Sequence, residues 1–146
     1  MPKAIFYRLF GLGGIPKQSA AALKLEGVLR LDEGIKGSVT YRDFRAPGKY
    51  DSWRRQWYTG SMAVTEVRLI AFSYASPIID VPFTDERIRK LQLSAEKTDT
   101  LLITFDAGLF HHDWSGRIEY RFRTSSAQSF LDTIRERIFD VTPRSD

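Results

Sequence analysis

Apolar and polar residues recur with a changing period along this 146-residue chain, and each change predicts an element. Near the N-terminus Ile5, Phe6, Leu9 and Phe10 fall at helical spacing, with Leu12 and Ile15 beyond, until Gly11, Gly13 and Gly14 break the pattern. Pro16 suits the first turn of a helix, and SAAALKLE is rich in good helix formers, which predicts a short helix near 16–25. After Gly27 the period falls to that of strands. GVLRLDEG predicts a short strand and a turn. In SVTYRDFR, Val39 and Tyr41 point one way and Thr40, Arg42 and Phe44 the other. The apolar side switches near Asp43, the mark of a bulge or a twist. Pro47-Gly48 is the strongest turn signal of APGKYDS, and SWRRQWYTGSMAVT resumes a strand that bends at Gly60.

VRLIAFS is almost continuously apolar, which predicts burial on both faces. SPIIDVPF follows, then RIRKLQLSAE with Leu91, Leu93 and Ala95 alternating, then TLLITFDA with Leu101, Ile103 and Phe105. GRIEYRFRT is the cleanest strand: Ile118, Tyr120 and Phe122 face one way, Arg117, Glu119, Arg121 and Arg123 the other. From Ser125 the period becomes helical again. Ala127, Phe130, Leu131, Ile134 and Ile138 form one stripe, Ser125 and Gln128 have capping-box spacing, and Pro143 lies beyond the end. A mainly β fold, a β-rich α+β class, follows. It would be a strongly bent antiparallel sheet or partly open barrel of about seven strands, closed by a C-terminal amphipathic helix that must bury its apolar face. The expected division is an arm and short helix over 1–25, a domain over 26–140 and a tail over 141–146.

Composition narrows the classes. At 42% hydrophobic and 27% charged residues the chain is neither disordered nor collagen-like. It has no cysteine, which excludes disulfide staples, thiolate zinc sites and cysteine nucleophiles, and fits a reducing cytoplasm. No apolar run approaches the roughly 20 residues of a spanning helix. Arg8 interrupts the apolar N-terminal stretch and no small-residue cleavage motif follows, so it reads as uncleaved. The net charge of +4 is uneven: residues 1–60 hold 11 Lys/Arg against 5 Asp/Glu, residues 61–146 hold 11 against 13. A basic half suits an anionic membrane, a nucleic acid or an acidic partner, and also an ordinary solvated surface.

Catalytic and metal chemistry find little purchase. The two histidines, His111 and His112, are adjacent in LFHHDWSG; neighbouring strand residues point to opposite faces, and Asp113-Trp-Ser-Gly116 is turn chemistry. They read as a hairpin end, not a metal site. Asp32-Glu33 and Asp85-Glu86 read as solvated turn charges. GLGG lacks the preceding strand and following Lys-Ser/Thr of a phosphate loop. No cofactor is expected. Nucleic acid is disfavoured as a partner, because no aromatic platform stands at recognisable spacing.

One stretch carries more content. YRDFRAPGKYDSWRR, Tyr41 to Arg55, gathers Arg42, Arg45, Lys49, Arg54 and Arg55 among Tyr41, Phe44, Tyr50, Trp53 and, just beyond, Trp57. If its strands pair across Pro47-Gly48, arginine forks and interfacial aromatics meet at one end of a hairpin, a candidate for anion or membrane binding. Asp43 and Asp51 lower the charge there, and Arg–aromatic pairs also stabilise ordinary hairpins. The arm, with Phe6, Arg8, Leu9 and Phe10, is a second candidate, for membrane or for a partner.

A resemblance enters through GSMAVTEVRLIAFS, in which Gly60, Met62, Val64 and Thr65 lead across a tight turn to Arg68, Leu69 and Ile70. IIDVPF with its proline, the Ile88–Leu91 spacing, LLITFDAG, and the last strand and capped helix over 117–139 follow in order. Over residues 25–140 this order resembles a pleckstrin-homology-like domain of the bacterial, GRAM-like branch. The resemblance implies two packed sheets in a partly open barrel, closed by the last helix. It also implies binding, not catalysis: of inositol lipids, other membrane lipids, peptides or further copies. Lipid-binding members carry a basic loop between their first two strands, whereas LDEGIKG here sets Asp32 and Glu33 against Lys36. The expected function is a non-enzymatic interaction domain for an anionic membrane surface or a protein partner, a homo-oligomer included. It would be cytoplasmic, or peripheral at the inner face of the membrane. The alternative is a carrier that holds a small apolar ligand or lipid in the mouth of the barrel.

Overall fold

The computed structural model describes residues 15–141. A helix, α1 (Lys17–Glu26), leads into seven strands: β1 (Val28–Ala46), β2 (Lys49–Thr65), β3 (Arg68–Ser73), β4 (Ser76–Pro82), β5 (Gln92–Glu96), β6 (Thr100–Asp106) and β7 (Ser115–Arg123). A second helix, α2 (Ala127–Val141), ends the described chain, and short 3-10 turns occupy Glu86–Lys90 and Ala107–Leu109. All strand pairs are antiparallel, in the order β4-β3-β2-β1-β7-β6-β5. The sheet is therefore not closed. The mainly β fold with a C-terminal helix is the one the periodicity predicts.

β1 organises the sheet. Its first half pairs only with the second half of β2; from Gly37 onward it pairs with β2 on one side and β7 on the other. The expected turn after a short first strand is absent, because LDEGIKG lies inside β1. Gly34 takes a positive φ of 66°, and the register with β2 shifts between Glu33 and Ile35. Glycine meets that backbone demand without steric cost, so the strand kinks and continues. The connection of β1 to β2 is Ala46 to Lys49, with Gly48 at φ 73°. A second irregularity falls where the apolar side was expected to switch: Asp43 has φ 48°, and the β1–β7 register shifts between Arg42 and Arg45. Phe44 thereby leaves the side of Arg42 and is buried against Tyr41 and Trp114, with ring centroids at 5.0 and 5.2 Å.

The main core lies inside the bend and includes Met62, Leu69, Val81, Leu101, Ile103 and Phe122. Ala127, Phe130, Leu131 and Ile134 of α2 close it, the helix lying against β1, β2, β5 and β6. The helix start differs from the expected capping box. Thr124 Oγ1 accepts from the Ser126 N–H at 3.1 Å and donates to Asp32 at 2.7 Å, while Gln128 bonds Asp132 one turn on. A second cluster explains the unbroken apolar run of β3. Ile70 and Phe72 leave the main core and pack on the opposite face with Ala63 under Ile15, Ala20 and Leu23 of the α1 segment. Arg68 ties these parts together, binding Glu26 of α1 at 3.0 Å and Asp80 of β4 at 3.1 Å. Ile88 and Leu91, expected in a strand, are buried from the 3-10 turn and its end.

Candidate functional site

Strand geometry sorts the expected binding residues by face. On β2, Trp53, Arg55 and Trp57 are two residues apart and share one face of the sheet. Opposite them on β1 stand Arg42, Thr40 and Ser38, in that order. This is the outer face, away from the core, and Trp53 and Trp57 are 54% and 71% exposed there. The Arg55 guanidinium lies over the Trp53 ring at 5.4 Å, and its Nε donates to Thr40 Oγ1 at 3.0 Å. Apart from the Arg55 contact with Trp53, both indoles keep most of their surface in solvent, which marks them as candidates for a contact outside the fold.

The remaining basic residues divide. Arg45 covers the exposed Tyr50 ring at 4.4 Å near the hairpin end, beside exposed Lys49. Arg54 turns the other way: it lies over Tyr41 at 4.3 Å and its Nε bonds Asp51 at 3.0 Å, so its charge is spent within the hairpin. Arg42 bonds Glu119 at 2.8 Å and begins a chain across the sheet, in which Glu119 also binds Arg121 at 3.1 Å and Arg121 binds Glu96 at 2.9 Å. Burial pushes the Glu119 carboxyl up, but hydrogen bonds from Arg42 and Arg121 outweigh it and hold the group below its usual range. The Glu96 hydrogen bond leads the causes that raise Arg121. The hairpin thus presents Trp53, Arg55, Trp57, Arg45 and Lys49 outward, while Arg42 and Arg54 also hold the scaffold. Phe6, Arg8, Leu9 and Phe10 of the arm lie outside the described residues.

Pairing of β1 with β7 adds residues that the linear reading left as a solvated strand face. Ser38 has Trp57 on one side and Arg121 on the other, and Gly37 faces Phe122. Arg123 is opposite Thr100, where the β5–β6 turn delivers Lys97 and Asp99. A groove of about 530 Å³ runs over this face from Arg55 and Trp57 to Lys36, Lys97 and Arg123. The alternating arginines of GRIEYRFRT signalled an exposed face, but nothing local says which strand stands beside it.

The inner mouth of the bend is aromatic. One cavity of about 470 Å³ is lined by Val39, Tyr41, Tyr58, Tyr74, Ile78 and Tyr120, and a second of about 330 Å³ shares Ile78 and Tyr120. Burial pushes the hydroxyls of Tyr58 and Tyr120 up, so both are neutral donors. The Tyr58 hydroxyl is buried and has no hydrogen-bond partner among the described residues.

His111 and His112 lie in the β6–β7 connection. His111 is stacked on Trp114 with centroids 3.6 Å apart, and the Trp114 N–H donates to the His111 carbonyl at 3.0 Å. Among the described residues no three His, Asp or Glu side chains gather as a metal site requires. No helix among them is long and apolar enough to cross a membrane. No family model matches the sequence, and a search of curated proteins finds no match.

Proposed function

We propose that this chain is a non-catalytic docking module that settles on an anionic membrane surface through the outer face of the β1–β2 hairpin. The observation that carries this is the row Trp53, Arg55, Trp57: two largely exposed indoles flanking a guanidinium on one strand face. Indoles favour the headgroup level of a bilayer, and arginine binds phosphate through its planar fork. Arg45 and Lys49 at the hairpin end add charge on the same element. Two antiparallel meanders, β1–β4 and β5–β7, joined through the β1–β7 pair and with a helix over one end, support reading the module as pleckstrin-homology-like. It docks from the aqueous side, and the arm with Phe6, Arg8, Leu9 and Phe10 adds apolar contact.

Brominated lipids test the geometry. The chain has three tryptophans, Trp53, Trp57 and Trp114. With anionic vesicles carrying brominated acyl chains, the indole emission is quenched. In the double variant Trp53→Phe, Trp57→Phe the remaining Trp114 signal is not. Equal quenching in both proteins, or none in either, contradicts the proposal.

A second reading has its own observation. The tyrosine-lined mouth, with the unpartnered Tyr58 hydroxyl, suits a small apolar molecule bearing an acceptor oxygen. Native mass spectrometry of freshly purified protein checks it: a retained ligand supports a carrier, and a bare mass under gentle conditions counts against one.

A further inference from the structure

The groove on the outer face of β2, β1 and β7 binds a ligand of its own, and we infer that the ligand is a phosphate monoester carried on a planar ring. The site shares Arg55 and Trp57 with the docking surface but does not rest on that reading. Three observations lead to it. The first is charge. Lys36, Arg55, Lys97, Arg121 and Arg123 line the groove together with Glu96 and Asp99. Both acids are engaged by arginines: Glu96 by Arg121 at 2.9 Å and Asp99 by Arg123 at 3.6 Å. Lys36, Arg55 and Lys97 make no ion pair among the described residues, so the groove keeps a positive excess that suits a dianion. Arg121 is held in place by Glu96 and Glu119, while Arg123, 68% exposed, is the more accessible of the two.

The second is the shape of the floor. Ser38 is 2% exposed and Gly37 is buried beside it, so the groove is sunk between side chains that rise from neighbouring strands. Strands are about 4.8 Å apart, which puts Trp57 on β2 roughly 10 Å from the β7 arginines across β1. A volume of about 530 Å³ falls among small-ligand sites, which run from about 300 to 1,000 Å³. The third is Trp57 itself. At 71% exposed it offers a ring face on the β2 side of the groove; Lys97 and Arg123 stand across β1 from it, and Lys36 lies on β1 between them. A planar ring stacks on the indole while its phosphate reaches the cations, a span that a nucleoside monophosphate covers.

A soluble metabolite and a phosphatidic acid headgroup share the phosphate monoester, while the planar ring belongs to the metabolite alone, and the experiment separates them. Adenosine monophosphate and inorganic phosphate are titrated against the full chain, read by tryptophan emission and by calorimetry. Vesicles with phosphatidic acid are compared with phosphatidylserine vesicles of equal surface charge. The expected result is saturable binding of adenosine monophosphate, weakened at least tenfold by Lys36→Gln with Arg123→Gln. Trp57→Leu should weaken adenosine monophosphate but not inorganic phosphate. A preference for phosphatidic acid that the Lys36→Gln, Arg123→Gln variant loses, without saturable binding of adenosine monophosphate, keeps the phosphate site but overturns the planar ring. Absence of both saturable binding and that preference overturns the inference. So does binding that is indifferent to the substitutions. Charge-dependent binding to phosphatidylserine would in that case still stand for the docking reading, and circular dichroism confirms that each variant is folded.

Discussion

Tyr58 occupies its place because two residues have no side chain. A Cβ at Gly37 would stand 2.5 Å from the Tyr58 ring, and one at Gly60 would press on both that ring and the Phe72 carbonyl. The tyrosine lies over backbone that only glycine leaves bare, and its ring meets Phe122 edge-on at 6.2 Å. Gly37→Ala should therefore cost about 1–3 kcal/mol by overpacking. Denaturant unfolding measures it, and the same Gly37→Ala change made in a Tyr58→Val background should cost much less; an equal cost in both backgrounds would contradict this packing. Glu119 gives a pH-dependent prediction. Its folded carboxyl titrates below its ordinary value, so its contribution is present above about pH 4.3 and fades as the pH falls through the depressed value. Glu119→Gln should lower stability by about 1–2 kcal/mol at pH 7, and the gap from the parent should narrow towards pH 3. A gap of constant size would contradict the ion-pair account.

At the scale of elements, periodicity was legible and pairing was not. The alternation of GRIEYRFRT, the helical stripe after Ser125 and the breaks at Gly27 and Pro47-Gly48 all correspond to elements of the structure. The unbroken apolar run of Arg68–Ser73 correctly signalled two buried faces, although what covers the second face, α1, sits more than 40 residues earlier. Asp-Glu-Gly looks like a turn, yet β1 runs through it, because the cross-strand partners Ser61 and Gly60 continue past the kink. Local turn chemistry lost to ladder continuity. The candidate site divides in the same way. Trp53, Arg55 and Trp57 were legible from their spacing on one strand. Lys36, Lys97, Arg121 and Arg123 join them only through the β1–β7 pair, which no local pattern encodes. The cover over β3 is testable. Leu23 is fully buried between α1 and the sheet, so Leu23→Ala should cost about 2–5 kcal/mol in denaturant unfolding. A loss below about 1 kcal/mol would mean that α1 is a loose appendage.

At the scale of the molecule, the bend divides the sheet into an apolar interior capped by α2 and a charged exterior crossed by the chain Arg42, Glu119, Arg121, Glu96. Exposed aromatic and basic side chains gather on the β1–β2 hairpin. Electrostatic attachment through such a surface weakens as salt shortens the screening length, while indole insertion does not. The central claim is tested most directly by co-sedimentation of the full chain with neutral and anionic vesicles at low and moderate salt. It is run beside the variant Trp53→Ala, Arg55→Glu, Trp57→Ala and a chain lacking residues 1–14, which keeps the buried Ile15. Binding selective for anionic vesicles, reduced by salt and lost in the triple variant, is the predicted result. Binding that ignores vesicle charge, or that survives the triple substitution unchanged, would contradict a docking surface on this hairpin.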